Sequence, residues 1–148
     1  MKKILFSCFA IACLMMIAVR SMAQDVRAQD LADSWIKAYN AHNNAELAIL
    51  YSENAVLMLH GEETVKGRQA IGVYWAEDFR ESNPITTLSV THTINGHDLI
   101  LVHGNYQVID RESGVMLGSG RFAHMWMKND DEVWELDRDL WHNPFNPY

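Results

Sequence analysis

The sequence predicts an α+β fold in which three N-terminal helices cover one face of a curved antiparallel sheet. In the first half of the chain, apolar residues recur at steps of three and four, which is the period of amphipathic helices. From Ile85 onward the period changes to two, and Thr, Val, Ile and aromatic residues dominate, as they do in strands. No linker or internal repeat divides the chain, so we expect one domain.

The first 23 residues have the features of a secretory signal peptide. Lys2 and Lys3 precede an apolar run over residues 4–19, and small residues occupy positions 21 and 23. We therefore expect cleavage after Ala23 and export of residues 24–148 to the periplasm or the medium. The apolar run is short for a membrane span, so we expect no membrane association after cleavage.

Composition excludes several classes of function. Both cysteines, Cys8 and Cys13, lie in the predicted leader, which leaves no thiol for disulfides, nucleophilic catalysis or metal binding. Three of the twelve basic residues lie in the predicted leader. After cleavage, nine basic and nineteen acidic residues remain, and the formal charge changes from -7 to -10. Nucleic acids and anionic membranes are therefore poor partners.

Three helices follow from the apolar periodicity. They cover residues 25–41, residues 45–51 and the segment between Gly67 and Pro84. Asn43, with Glu46 three residues later, is a typical cap for the second helix. The third helix ends before Pro84, because the residue before a proline avoids helical geometry. A brief strand over residues 56–60 separates the second and third helices.

Four long strands are predicted as an antiparallel meander after Pro84. The Asn-Gly pair at 95–96 predicts a two-residue hairpin turn that pairs Ile94 with His97. This register keeps His92 and His103 from facing each other. Neither face of the second strand of this hairpin has the polar side chains of a solvent-exposed surface. An apolar outer face needs a partner, and we therefore expect a homodimer through the outer face of the sheet.

Three runs resemble the SnoaL-like, ketosteroid-isomerase-like superfamily, whose cone-shaped fold is shared with nuclear transport factor 2. They are Tyr-Ser-Glu-Asn-Ala-Val at 51–56, Val-Lys-Gly-Arg-Gln-Ala-Ile at 65–71, and residues 134–143. The last run, with Gly-Arg-Phe at 120–122 ahead of it, is most similar to a branch of domains of unknown function. The resemblance implies a cavity between the helices and the sheet, but a shared fold does not carry chemistry with it.

The resemblance does not extend to the catalytic groups of the steroid isomerase. Its tyrosine donor falls near Trp35, its aspartate base near Leu59, and its neutral aspartic acid near Arg121. Leu59 cannot move a proton, so we do not expect that mechanism here. His60 lies beside the position of the base, although neighbouring residues on a strand point to opposite faces.

The resemblance also implies which residues line the cavity. They are Trp35, Trp75, Val102, Tyr106, Trp134 and Leu136, with Arg121 and Arg138 as the charges that reach in. Such a lining suits a small hydrophobic molecule that carries a polar or anionic group. Packing in the core is the alternative role for the aromatic residues, and pairing at the sheet edge is the alternative for the two arginines.

Asp139 is the carboxylate that the resemblance singles out. An acid followed by Trp and then Asn at steps of two is a recurrent ending in the resembled branch, here Asp139, Trp141 and Asn143. Simple alternation places the side chain of Asp139 on the opposite face of the strand from that of Leu136, away from the cavity, unless a bulge rotates the strand end.

The leading functional hypothesis is an exported protein that binds a small molecule between its helices and its sheet. As a cofactor-free isomerase, lyase or cyclase, it would use Asp139 or His60 to exchange a proton and Arg121 or Tyr106 to stabilise an oxyanion. A non-catalytic carrier and a protein-interaction module are the alternatives. The histidines lack the spacing of a metal site, so we expect no metal.

Overall fold

Three helices pack against one face of a six-stranded sheet. The computed structural model describes residues 28–143. The elements in chain order are α1 (28–40), α2 (Asn44–Ile49), β1 (Tyr51–Leu59), β2 (Val65–Lys66), α3 (Arg68–Ser82), β3 (Pro84–Asn95), β4 (Leu99–Asp110), β5 (Met116–Lys128) and β6 (Trp134–His142). The strand order is β2-β1-β6-β5-β4-β3.

The predicted α+β class is confirmed, with two corrections. The helices are not all N-terminal, because α3 follows β1 and β2. The sheet is also mixed, because β1 lies parallel to β6. The meander of β3 to β6 is antiparallel as predicted. The first strand is longer than expected, since it begins at Tyr51, a residue that the periodicity had assigned to the second helix.

The helix ends follow from local chemistry. The Asn43 side chain accepts a hydrogen bond from the backbone N–H of Glu46 at 3.1 Å, which confirms the predicted cap of α2. After Ser82, Asn83 adopts a left-handed conformation with φ of 41° and Pro84 starts β3. Proline cannot continue a helix, so α3 ends where the sequence predicted.

The β3–β4 hairpin differs from the prediction. Asn95 pairs with Ile100, and the Gly96 N–H donates to the Leu99 carbonyl, so the connection is longer than two residues. Regular pairing continues from Asn95 and Ile100, and it therefore brings His92 opposite His103, whose rings stack 5.0 Å apart. The predicted two-residue turn had excluded this pair. Beyond His92, a register shift between Val90 and His92 changes which side chains share a face.

A bulge in β6 determines which side chains of that strand face the helices. Trp126 of β5 pairs with Leu136 and Met125 pairs with Arg138, which leaves Asp137 as an extra residue. The extra residue puts Leu136, Asp139 and Trp141 on the buried side of the strand. Without the extra residue, the side chains of Asp139 and Leu136 would lie on opposite faces of β6.

The outer face of the sheet carries exposed apolar side chains. Ile94 on β3, Met127 on β5 and Leu140 on β6 are 60%, 40% and 41% exposed, respectively. These residues are consistent with the expected homodimer interface, which stays a prediction that equilibrium sedimentation can test. The predicted signal peptide lies outside the described residues and also stays a prediction. No helix within residues 28–143 is long and apolar enough to cross a membrane.

Candidate functional site

A pocket of about 350 Å³ lies between α1, α3 and the inner face of the sheet. Among residues 28–143, six aromatic residues contribute to its wall: Trp35, Tyr39, Tyr74, Trp75, Tyr106 and Trp141. Several of their rings meet edge to face, at 85° for Tyr39 with Trp75 and 73° for Tyr106 with Trp141. The lining includes Trp35, Trp75 and Tyr106, which the resemblance implied, and their contact with a ligand stays a prediction.

Two carboxylates line the same pocket, and each accepts a hydrogen bond from a tyrosine. The Tyr39 hydroxyl donates to Asp78 Oδ2 at 2.7 Å, and the Tyr74 hydroxyl donates to Glu62 Oε2 at 2.9 Å. Asp78 is half-buried on α3, whereas Glu62 is exposed in the turn after β1. Burial raises the pKa of Asp78 above its ordinary value. Burial and the nearby carboxylates also raise the pKa of both tyrosines, which keeps their hydroxyls protonated.

A buried polar network supports the wall of the pocket. The indole N–H groups of Trp35 and Trp75 both donate to the Tyr51 hydroxyl oxygen at 3.0 Å. That hydroxyl donates to Asp139 Oδ2 at 2.6 Å. Tyr51 and Asp139 have no exposed surface. Burial and the neighbouring carboxyl group of Asp139 raise the pKa of Tyr51, so its hydroxyl remains a donor.

His124 lies beside the second carboxylate oxygen of Asp139. Its Nε2 is 3.3 Å from Asp139 Oδ1, without the alignment of a hydrogen bond, and both side chains are fully buried. Its ring contacts those of Trp35, Phe122 and Trp141. Neither His124 nor Asp139 lines the pocket. Asp139 is therefore connected to the pocket wall by hydrogen bonds through Tyr51 to the indole groups of Trp35 and Trp75.

The sequence matches the SnoaL-like domain family over residues 32–136, which is more than half of the chain. The chain belongs to the SnoaL-like family. No curated protein matches it in sequence. Family membership explains the order of helices and strands, but it leaves the chemistry of the pocket to the residues that line it.

Solved structures with the same fold are distant in sequence. A domain of unknown function with a cystatin-like fold from Nostoc punctiforme has a TM-score of 0.70 and 19% identity, over 80% of this chain and 75% of its own. A ketosteroid isomerase-like protein from Erwinia carotovora atroseptica has a TM-score of 0.67 and 14% identity, over 78% of this chain and 92% of its own. An NTF2-like protein from Novosphingobium aromaticivorans has a TM-score of 0.71 and 14% identity, over 85% of each chain. At these identities the similarity concerns the fold alone.

Three predicted site residues of this SnoaL-like protein lie outside the pocket. Arg121 is exposed, because strand alternation puts its neighbour Phe122 on the buried face. Arg138 donates to Asp137 Oδ2 at 2.6 Å at the surface. Trp134 packs beneath Lys128, with the ammonium nitrogen 5.3 Å from the ring centroid. The two arginines are therefore not the charges of the pocket.

The other predicted positions have mixed outcomes. His60 lines the pocket, but it is exposed and its ring packs against His142 at 4.7 Å. Val102 and Leu136 are fully buried in the core and do not line the pocket. Among residues 28–143, no group of three histidine, cysteine or acidic side chains is placed to hold a metal ion.

The sequence reasoning missed Asp78 and His124, although each had a recognisable signal. Asp78 follows Tyr74 by four positions and Trp75 by three, which places it beside the aromatic stripe of α3. His124 alternates with Phe122 and Trp126 on the buried face of β5. A polar residue at an apolar position of a regular pattern indicates a buried polar group. Glu62 had no comparable signal, since it lies in a turn.

Replacing Asp78 by asparagine is expected to change how stability depends on pH. Because the pKa of Asp78 is raised on folding, the folded state holds this proton more tightly than the unfolded chain. The carboxyl group's contribution to stability is therefore full in acid and is lost as pH rises through the folded-state pKa. The Asp78→Asn variant should gain stability relative to the wild type between pH 3 and pH 7, measured by thermal unfolding. An unchanged difference across this range, or the same trend in the exposed control Glu77→Gln, would contradict the prediction.

Proposed function

We propose that this SnoaL-like protein binds a small hydrophobic molecule in the pocket between α1, α3 and the sheet. The observation that carries the proposal is the pocket of about 350 Å³ with six aromatic residues in its wall. Pockets of this size, lined by aromatic side chains and a few polar groups, are typical binding sites for small organic molecules. The buried network beneath Trp35 and Trp75 holds part of this wall in place without a ligand.

Mass spectrometry of the protein purified from its native host tests the proposal. A small molecule should co-purify with the wild type and be lost when Val108, which lines the pocket, is replaced by tryptophan. Val133→Trp is the matched control, because Val133 is exposed in the turn before β6. Retention of the same molecule by Val108→Trp, with the fold intact by circular dichroism, would place the binding site elsewhere.

We propose acid–base catalysis without a cofactor as a second function, with Asp78 as the group that exchanges the proton. The observation that favours it is the contact of 2.7 Å between the Tyr39 hydroxyl and Asp78 within the pocket. Burial raises the pKa of Asp78, which strengthens this carboxyl group as a proton acceptor. Asp139 has no exposed surface through which to reach a ligand. The alternative is a carrier that leaves its ligand unchanged.

Hydrogen–deuterium exchange into the co-purified molecule separates these two functions. A catalyst of proton transfer should exchange a carbon-bound hydrogen in deuterated water, followed by NMR, and Asp78→Asn at saturating ligand should abolish the exchange. A carrier should give no exchange above the rate without protein.

A further inference from the structure

We propose that the ligand of this pocket is an organic cation, such as a protonated amine or a quaternary ammonium compound with an apolar substituent. The inference rests on the proposed function, since it requires that the pocket binds a small molecule. It concerns the chemical class of that molecule, and it replaces the anionic group expected from the sequence.

The charges of the pocket are the first argument. Its wall contains the carboxylates of Glu62 and Asp78 but no lysine or arginine among the residues that the structure describes. Within the same part of the chain, neither carboxylate forms an ion pair with a lysine or arginine. His60 is the one described lining residue that can carry a positive charge, and it is exposed. An anion entering this pocket would meet like charges, whereas a cation would meet opposite ones.

The aromatic wall is the second argument. Trp75 meets Tyr39 and Tyr74 edge to face, at 85° and 81°, so the faces of these rings point in different directions. Aromatic faces carry negative electrostatic potential and attract cations, most strongly where water is excluded. Tyr39 is 4% exposed and Trp75 is 4% exposed, which gives the low-dielectric surroundings that strengthen this attraction. A cation in the pocket would therefore lie beside a carboxylate and within an aromatic wall.

The hydrogen bonds of the carboxylates are the third argument. Tyr39 and Ser82 each contact one oxygen of Asp78, at 2.7 Å and 3.3 Å. Each carboxylate oxygen has two lone pairs, so Asp78 retains the capacity to accept from an ammonium group. A neutral ligand would cover Asp78 without supplying a counter-charge, which is unfavourable for a partly buried carboxylate. The pocket is therefore selective for charge as well as for size.

Three probes of similar shape test the inference: benzyltrimethylammonium, its uncharged isostere neopentylbenzene, and the anion benzylsulfonate. Binding is followed by NMR through the indole N–H signals of Trp35 and Trp75, with Trp134 as the reference outside the pocket. We expect the cation to bind about tenfold or more tightly than the isostere, and the anion to bind most weakly.

Two variants make the test specific. Asp78→Asn should weaken binding of the cation about tenfold and leave that of the isostere unchanged. Glu77→Gln, the neighbouring acid on α3 that does not line this pocket, should change neither. Equal affinity for the cation and the isostere, or an unchanged affinity of Asp78→Asn for the cation, would overturn the inference and leave the proposed function standing. If no probe shifts the two indole signals, the inference fails, and the comparison of wild type with Val108→Trp decides the proposed function separately.

Discussion

Replacing Asp139 by alanine is expected to lower the free energy of unfolding by about 3–5 kcal/mol. Asp139 accepts a hydrogen bond from Tyr51 at 2.6 Å and lies 3.3 Å from His124, and all three side chains are fully buried. The substitution leaves a hydroxyl donor and an imidazole ring without this partner in the core, where water cannot replace it. Urea denaturation of the wild type and the variant measures the difference.

Asp137→Ala is the matched control for this prediction. Asp137 lies two residues earlier on β6 but accepts from Ser52 and Arg138 near the surface. Surface pairs of this kind contribute about 0–1 kcal/mol, so we expect a small loss. Asp139→Asn should fall between the two, because its amide oxygen can still accept from Tyr51. A loss in Asp139→Ala no larger than that in Asp137→Ala would show that the network does not stabilise the fold.

The position of Asp139 shows how far the sequence could lead. The sequence of residues 134–143 singled out Asp139, but simple alternation placed its side chain on the opposite face of the strand from Leu136 unless a bulge intervened. The bulge at Asp137 puts the side chains of Leu136 and Asp139 on the same, buried face. A bulge depends on pairing with neighbouring strands, and β6 is paired on both sides, by β1 and β5. The residue was therefore predictable, whereas its direction and its structural role were not.

The histidine pair on β3 and β4 was excluded for a different reason, the length assumed for the turn. The Asn-Gly pair at 95–96 predicted a two-residue turn, but the observed connection spans residues 96–99 and brings His92 opposite His103. The length of the turn sets the register of a hairpin. Val102 and Tyr106, which the resemblance placed towards the helices, are both buried on the inner face of β4, and alternation within β4 does not depend on its partner.

The charge of the pocket could not be predicted from the sequence, because its acids come from separate elements. Asp78 lies on α3, and Glu62 lies in the turn between β1 and β2. The aromatic wall was easier to predict, since Trp35 and Trp75 lie on the buried stripes of two amphipathic helices. The arginines chosen from the resemblance were placed by analogy of fold, which fixes backbone positions better than side-chain directions.

Replacing Tyr51 by phenylalanine is expected to lower the free energy of unfolding by about 3 kcal/mol and to weaken ligand binding. One hydroxyl group accepts from Trp35 and Trp75 and donates to Asp139, so its removal leaves two buried indole donors and a carboxylate oxygen without this partner. The change removes one atom and leaves no large cavity. The loss therefore measures the hydrogen bonds rather than the packing.

Tyr74→Phe is the control that separates the network from any tyrosine of the pocket. Its hydroxyl donates to the exposed carboxylate of Glu62, so its removal should cost less than about 1 kcal/mol. NMR signals of the Trp35 and Trp75 indole N–H groups should move in Tyr51→Phe, while that of Trp134 stays in place. If those two signals and ligand affinity were unchanged, the network would stabilise the core without positioning the pocket wall. Movement of both indole signals with loss of affinity would establish that the Tyr51 hydroxyl preorganises the wall of the binding site.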